Sequence, residues 1–497
     1  MDKFRHPYGA TITLWLVLFT VLLTRQVLAA AQTQSSPPRT VAPLQSLAEL
    51  DDRAIRQRPL QIKGWKTLTG SKVLFIQTSE LPMFDLHVNF AAGSAQDQQH
   101  PGLAAMTLSL LNEGVEGKDL AVILETFDSL GAKLGTGIDR DRTQLSLRSL
   151  NATDKREPAL QLFAQMLGKP LLAEDAMTRV KAELLGILEQ QGQATSAQVS
   201  QTMYETLFAG HAYAQPVHGT TSSLASITRE QLQAFHNKFY AAGNVLITLV
   251  GDLSLEEAQS ISLQIAKALP QGPAVEPVAE VARQENPPGL QHIERPLSQT
   301  HLMLTQLGVT RQHPDYVALQ VASMIFGGGG SNSRLMNELR EQRGLTYGVA
   351  MGNIAWQGRG PFNIYVQTRP EFGTGTLKLI QDMFRDYLAT GPTGQELDDV
   401  KRILAGSSPL DSASNAQILS RLVDISLNNL PLDLDFSVQQ AQQLTIEDIR
   451  TALNKHFGAD QWTVVTLGPT VEQQALPDPV KPAEQSMCRV TSEFVAS

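Results

Sequence analysis

Hydrophobic and polar positions in the first half of the chain follow two periods. Alternation with a period of two predicts strands, whereas apolar residues that recur every three to four positions predict helices. Thr228 and Gln231 have the spacing of a capping box, which predicts the start of a helix. The predicted strands are Lys72–Gln77, 84–91, Thr143–Leu150 and 245–250, and the predicted helices are 103–111, Leu120–Leu130, 156–167, 173–190, 197–209 and 228–241.

The second half of the chain repeats this order of segments. RQHPDYVALQVASMIFGGGG lies where QDQQHPGLAAMTLSLLNEG lay, and LTIEDIRTALNKHFGADQWTVVTLGP corresponds to ITREQLQAFHNKFYAAGNVLITLVGDL. Self-similarity at a spacing of about two hundred residues indicates a duplicated domain. The predicted fold class is therefore α+β, with two homologous α/β domains in which an antiparallel sheet packs with helices.

The predicted boundaries follow from shifts in composition along the chain. Polar, Pro-containing segments flank the two domains and lie between them, as is typical of linkers. The predicted segments are a signal peptide at 1–31, an extended lead-in at 32–60 with a short helix at 44–55, an N-terminal domain at 61–269, a linker at 270–288, a C-terminal domain at 289–472 and a polar tail at 473–497.

The stretch GGGGSNSRLMNELREQRGLTYGV at 327–349 is predicted to be a glycine-rich turn followed by a helix and a strand. Glycines permit positive φ and the close approach of another chain, and the Ser-Asn-Ser cluster at 331–333 offers N-cap oxygens to a helix. That helix should bury Leu335, Met336 and Leu339 and end at Gly344 in the left-handed conformation. The glycines that open the stretch are Gly327, Gly328, Gly329 and Gly330.

Two hydrogen-bond donors stand at the end of this predicted helix. Arg340 is expected in its last turn and Tyr347 at the first residues of the strand, where a guanidinium and a phenol could serve a peptide carbonyl or a developing oxyanion. On residue types alone, an Arg that complements the helix dipole and a half-buried core Tyr explain the same positions.

Composition limits the classes of function. The 497 residues carry 42% hydrophobic and 18% charged residues, as a globular protein does, and their number suits two or more cores. A net charge of −9 without a basic run argues against nucleic acid as a partner. The one cysteine, Cys488, excludes a disulfide framework within the chain and a cysteine-based zinc site.

The first residues predict export. Lys3 and Arg5 precede an apolar run at 11–23, and small residues suited to signal peptidase follow at 27–31. The run is shorter than the roughly 20 residues that span a bilayer, which favours a cleaved signal peptide over a retained anchor. An exported chain without paired cysteines suits a bacterial periplasm, so the expected localisation is periplasmic, with no membrane anchor left after cleavage.

The stretch at 327–349 resembles the second-domain signature of the pitrilysin/insulinase family of zinc metallopeptidases. In that family a Gly-rich loop, an SRL-type helix and an Arg-(six residues)-Tyr pair follow one another, and the Arg and Tyr bind substrate across from the zinc. The resemblance covers about 61–470 and implies paired α+β domains that enclose a chamber. It assigns substrate binding to Arg340 and Tyr347, and it implies that the glycines at 327–330 let substrate or a partner backbone come close.

The zinc-binding motif of this family is missing. An H-x-x-E-H helix needs two histidines on one face and a glutamate base between them. The aligned helix GLAAMTLSLLNEG places Ala105 and Ser109 at the histidine positions and Leu108 at the glutamate position. Neither Ala nor Leu has a donor atom, and a neutral Ser hydroxyl is a poor zinc ligand.

Other candidate sites in the sequence are weak. No two histidines are four apart, and a zinc site at His211 and His218 would need a Pro-containing loop to fold around the ion. Glu183 and Glu189, where a third ligand would fall, are expected on solvated helix faces. No other catalytic constellation stands out, so the chain is expected to hold neither a catalytic residue nor a metal of its own.

Three hypotheses remain from the sequence. The first is a substrate-binding, non-catalytic subunit of an exported heterodimeric zinc metallopeptidase that acts on peptides or small unfolded proteins, with zinc in a partner subunit of the same family. The second is a binding or scaffold protein that keeps only the peptidase fold. The third, an autonomous metallopeptidase, conflicts with the missing ligands.

Overall fold

The computed structural model describes residues 60–282 and 289–480. The predicted signal peptide, the short helix at 44–55, the end of the linker and most of the polar tail lie outside these residues. Within them, no helix combines the length and the apolar character needed to cross a membrane.

The first half of the chain builds a six-stranded sheet. Its strand order is β1-β2-β8-β3-β7-β6, in which β2 and β8 are parallel and all other neighbours are antiparallel. A small hairpin, β4 and β5, stands apart. The strands are β1 (Lys63–Lys66), β2 (Lys72–Gln77), β3 (Met83–Phe90), β4 (Gly114–Val115), β5 (Lys118–Asp119), β6 (Lys133–Ile138), β7 (Thr143–Leu150) and β8 (Val245–Gly251).

The second half builds a five-stranded sheet with the same arrangement. Its order is β11-β12-β10-β13-β9, with β9 and β13 parallel and the others antiparallel. The strands are β9 (Leu290–Glu294), β10 (Thr300–Leu307), β11 (Val349–Asn353), β12 (Pro361–Thr368) and β13 (Thr463–Gly468). β9 thus takes the place of β2, β13 that of β8, β10 that of β3, β12 that of β7 and β11 that of β6, as the sequence repeat predicts.

Helices cover the two sheets, and their apolar faces form the two main cores of the described residues. Seven of the fourteen α-helices of the described residues begin at a capping box or another N-cap side chain, including the box that Thr228 and Gln231 form. The α-helices are α1 (Leu103–Leu110), α2 (Leu120–Leu130), α3 (Thr153–Gly168), α4 (Glu174–Gln193), α5 (Thr195–Leu207), α6 (Thr221–Ser226), α7 (Arg229–Phe239), α8 (Leu255–Ala268), α9 (Tyr316–Ser323), α10 (Gly373–Thr390), α11 (Gly394–Ser407), α12 (Asn415–Asn428), α13 (Phe436–Gln443) and α14 (Ile446–His456).

Each half of the chain lends one helix to the sheet of the other. Helix α5 of the first half lies against β10 and β13, and helix α12 of the second half lies against β2, β3 and β8. Met203 of α5 is buried in a cluster with Met303 and Val465, and Leu422 of α12 is buried with Ile76 and Val250. Because both exchanged helices bury apolar side chains, the two halves are joined by hydrophobic packing and not by the linker alone.

The predicted α+β fold class is confirmed, and the predicted helices and strands occur within a few residues of their expected bounds. In the first half, β1, β4, β5, β6, α6 and α8 were missed. β6 has the sequence KLGTGI, in which two glycines break the alternation that signals a strand, and β1 is only four residues long.

Candidate functional site

Helix α1 carries the positions where the zinc motif would lie, and it is buried beneath other helices. Ala105 is 2% exposed and Leu108 is 5% exposed, both within the apolar core of the first half. α1 is covered by α4 and α7. The residues present do not fit a zinc ion, since the first histidine and the glutamate are replaced by buried apolar side chains and the second histidine by a neutral Ser hydroxyl, which is a poor zinc ligand.

The polar groups near this helix have other roles. Ser109 is half-buried, and Glu183 and Glu189 on α4 are exposed, as predicted for a solvated helix face. Asp97 accepts hydrogen bonds from the backbone N–H groups of Gly102 and Ala104, both at 2.7 Å, and so caps α1. Burial raises the pKa of Asp97 to about 7, although these two bonds act in the opposite direction.

His211 and His218 do not form a metal pair. The Nδ1 atom of His211 accepts from the backbone N–H of Tyr213, and its Nε2 lies 3.0 Å from the carbonyl oxygen of Ala279. His218 Nδ1 lies 3.2 Å from the side-chain amide of Gln191. Both rings are therefore engaged in fixing loops.

The glycine-rich stretch differs from its prediction in local geometry. Met324–Gly328 forms a π-helical turn that continues α9, and only Gly330 among the four glycines has a positive φ, at 67°. A Cβ added at Gly328 would lie 2.9 Å from the carbonyl oxygen of Met351 in β11. Gly327 and Gly328 allow the π-helical turn to pack closely on this chain's own strand β11, and the approach of a substrate or partner to the glycines stays a prediction.

The residues that follow the glycines anchor the segment. The Ser333 hydroxyl donates to the carbonyl oxygen of Gly330 and does not cap the helix, which corrects the predicted N-cap. Arg334 forms a bidentate ion pair with Glu396, at 2.6 and 2.7 Å, and its guanidinium lies over the ring of Tyr387. Leu335 is fully buried. The SRL sequence thus fastens this segment to α11 and the core, a role that residue pattern alone did not assign to Arg334.

Arg340 lies in the last turn of a second π-helical segment, Met336–Gln342, as the sequence predicts for a helix end. Its side chain is 49% exposed and contacts Glu341 at 3.5 Å. In contrast, Arg343 is held by Glu338 at 2.7 Å and by the carbonyl oxygen of Pro477. Of these two arginines, Arg340 is the one whose guanidinium is open to a ligand.

Tyr347 is 89% exposed, which rules out the alternative of a half-buried core tyrosine. It lies two residues before β11 and not within it. The residues on both sides are fixed: the Leu345 N–H donates to the carbonyl oxygen of Leu339, and the Thr346 hydroxyl bonds the backbone of Gly348. Gly344 has φ of 59°, the expected left-handed turn. An exposed aromatic side chain on an anchored backbone is a feature of binding surfaces.

A buried polar network that the sequence did not reveal joins the two halves. The Tyr213 hydroxyl donates to Asp141 at 2.5 Å, and the backbone N–H groups of Gln357 and Gly358 donate to Asp141 and to the Tyr213 oxygen. Arg140 stacks over Tyr204 with its Cζ 4.1 Å from the ring centroid. Burial raises the pKa of Asp141, and the hydrogen bond from Tyr213 offsets part of that rise. The network fastens the β6–β7 turn to the β11–β12 loop.

Comparison with protein families gives two adjacent matches. Residues 72–221 match the family described as Insulinase (Peptidase family M16), and residues 226–404 match the one described as Peptidase M16 inactive domain. Together the two matches cover more than half of the chain.

Curated relatives match over most of their length. A non-peptidase homolog, YmxG, of Helicobacter pylori is 25% identical over 394 residues, which are 77% of this chain and 88% of the relative. An uncharacterized zinc protease of Mycobacterium tuberculosis is 24% identical over 383 residues, which are 76% of this chain and 86% of the relative.

The solved structures include a relative of higher sequence identity. The crystal structure of a peptidase M16 inactive domain from Pseudomonas fluorescens is 49% identical, with a TM-score of 0.81 over 84% of this chain and all of that one. A protease from Helicobacter pylori has a TM-score of 0.76 at 18% identity over 82% of this chain, a likeness of fold.

Proposed function

The chain belongs to the insulinase family, peptidase family M16, as an inactive member, and we propose that it is the substrate-binding, non-catalytic subunit of an exported heterodimeric zinc metallopeptidase. The observation that carries the proposal is the contrast between two positions. The helix that would hold zinc is sealed by apolar side chains, whereas Arg340 and Tyr347 stand exposed on an anchored segment.

The chemistry of the two exposed donors suits a peptide. A guanidinium and a phenol both donate to carbonyl oxygens, and they stabilise an oxyanion better than they stabilise the neutral carbonyl from which it forms. In a shared site, Arg340 and Tyr347 would orient the substrate opposite the partner's metal. The segment that carries them is fixed by Arg334 and by the buried Leu339 and Leu345, so little backbone conformational entropy is lost when a peptide binds.

The sheets offer a second feature that suits extended peptides. Among residues 60–282 and 289–480, β6 is an edge strand of the first sheet and pairs with β7 on one side only. The backbone groups on its other side can take up an added strand, a mode of peptide recognition that uses main-chain hydrogen bonds and therefore tolerates many sequences. Substrates without stable structure, such as peptides and small unfolded proteins, fit this mode.

Export to the periplasm remains part of the proposal, on the strength of the basic residues and the apolar run that open the chain. The second candidate function is a scaffold that keeps only the fold. The scaffold function is favoured by the close packing of the glycines on β11, because this packing accounts for the glycines and no ligand is needed to explain them. It does not explain why Tyr347 is exposed.

The isolated chain should not cleave unstructured peptides, with or without added zinc, because Ala105, Leu108 and Ser109 supply neither ligand nor base. The measurement is the release of fluorescence from a quenched peptide library by the purified chain. A zinc-bearing M16 peptidase, assayed in parallel, controls for the library. Cleavage that a chelator abolishes and zinc restores would contradict the proposal and favour an autonomous metallopeptidase.

A further inference from the structure

Two histidines and an aspartate meet on the second half of the chain, away from α1. His313 and Asp315 lie in the turn before α9, and His456 is the last residue of α14, which packs against α9. The Asp315 Oδ2 atom lies 2.8 Å from His456 Nε2 and 3.7 Å from His313 Nδ1. One potential ligand atom from each of the three residues lies within 4.8 Å of the other two.

This spacing approaches that of a transition-metal site. Nitrogen and oxygen ligands at about 2.0–2.1 Å from a tetrahedral zinc ion are about 3.4 Å from one another. The distances of 2.8 and 3.7 Å from Asp315 lie on either side of that value, and all three ligand atoms lie within 4.8 Å of one another, so the side chains must rotate to bring the three atoms to ligand spacing. Two imidazoles and a carboxylate suit zinc, and also cobalt, nickel and copper ions, but not magnesium or calcium, which prefer oxygen ligands.

The environment of the cluster both helps and opposes a cation. The side chains of His313, Asp315 and His456 are each partly exposed, so an ion from solvent can reach them. On the opposing side, Lys455 Nζ lies 2.8 Å from Asp315 Oδ2, and the Asp315 N–H donates to His313 Nδ1. A metal ion must therefore displace the Lys455 ammonium from Asp315 and the Asp315 N–H from His313 Nδ1 before it can bind.

The internal repeat shows that the cluster is specific to the second half. The first half has His100-Pro101-Gly102 where the second has His313-Pro314-Asp315, and it ends the corresponding helix in Asn-Lys-Phe239 where the second ends in Asn-Lys-His456. The lysine and the first histidine occur in both halves, whereas the carboxylate and the second imidazole occur only here. The duplicated fold does not require these two side chains.

We propose that His313, Asp315 and His456 form a binding site for a divalent transition-metal ion, with zinc as the best fit. Three protein ligands leave a fourth position for water. The ion would fasten the start of α9 to the end of α14, and α9 runs directly into the π-helical turn and the glycines at 327–330. The proposed role of the ion is to hold these two helices together, and it is independent of the proposed role in proteolysis. Its outermost residues, His313 and His456, lie 143 positions apart, so a search for closely spaced ligands could not find it.

The test is a zinc titration of the full mature chain, purified without a polyhistidine tag and first dialysed against a chelator. Isothermal titration with zinc chloride should show one saturable site. His456→Ala and Asp315→Asn should weaken binding by on the order of a hundredfold, whereas the matched control His211→Ala should leave it unchanged. Thermal unfolding of each variant without metal establishes that it is folded, and His313→Ala replaces any variant that is not.

Lys455→Met separates a metal site from a purely structural ion cluster. Removing the ammonium frees Asp315 Oδ2 and removes a repelling charge, so zinc should bind about tenfold more tightly to this variant. If the cluster is only an ion pair between helices, Lys455→Met lowers the unfolding temperature, and added zinc neither binds nor changes that temperature. Absence of saturable binding, or binding that persists in both His456→Ala and Asp315→Asn, would overturn the proposal.

Discussion

Arg340→Ala is expected to lower peptide turnover by the reconstituted complex about a hundredfold while the chain stays folded. Losing one donor to a developing oxyanion costs on the order of 3 kcal/mol of transition-state stabilisation. Arg340 is half-exposed, and within the described part of the chain its one ion pair is with Glu341, so it contributes almost nothing to stability. Tyr347→Phe should behave in the same way, because it removes the hydroxyl from a side chain that is almost fully exposed. The loss of turnover in the double variant should be smaller than the two single losses combined, since both groups serve one transition state.

Two other arginines serve as matched controls for this experiment. Arg402→Ala removes an exposed arginine paired with Asp399 and should change neither turnover nor stability. Arg334→Ala removes the bidentate partner of Glu396 and should lower the unfolding temperature. The measurements are thermal unfolding of the chain and turnover per folded complex. Unchanged turnover in Arg340→Ala and Tyr347→Phe, together with lowered stability, would assign both residues a structural role.

Leu108→Glu is expected to destabilise the chain by about 4 kcal/mol and to restore no activity. The substitution returns a glutamate to the base position of the motif, but it places the carboxyl group in an apolar core without a partner. The matched control is Ser109→Glu on the same helix, where the side chain is half-buried and can reach water. Denaturant unfolding of both variants gives the free energies of unfolding.

This comparison tests whether α1 is closed as the structure shows. A loss of stability for Leu108→Glu that is no larger than that for Ser109→Glu would mean that the position is open to solvent. In that case the burial of Leu108 on α1 would no longer argue against catalysis by the chain itself.

Much of the fold was predictable because period and caps determine local structure. The two copies of the repeat have strong helical and strand periods, and Thr228 and Gln231 form the box that their spacing indicates. The substitution of the zinc ligands was also visible in the sequence, because the flanking glycines fix the alignment of GLAAMTLSLLNEG with the motif.

The features that could not be predicted from the sequence depend on tertiary structure. The π-helical turn at Met324–Gly328 arises where α9 approaches β11, and no local pattern signals it. The exchange of α5 and α12 between sheets, the Asp141–Tyr213 bond and the His313–Asp315–His456 cluster join residues far apart in sequence. The exposure of Tyr347 follows from the anchoring of its neighbours, which becomes visible only once the chain is folded.

The central claim is tested most directly by mixing the purified chain with the zinc-bearing M16 peptidase encoded in the adjacent reading frame, where that frame contains H-x-x-E-H. Size-exclusion chromatography with light scattering gives the stoichiometry, and a quenched peptide gives the turnover of each chain alone and of the mixture. A substrate-binding subunit predicts a one-to-one complex whose turnover exceeds that of the partner alone and saturates at equal amounts of the two chains. A partner that reaches full turnover alone and forms no complex with this chain would contradict the claim.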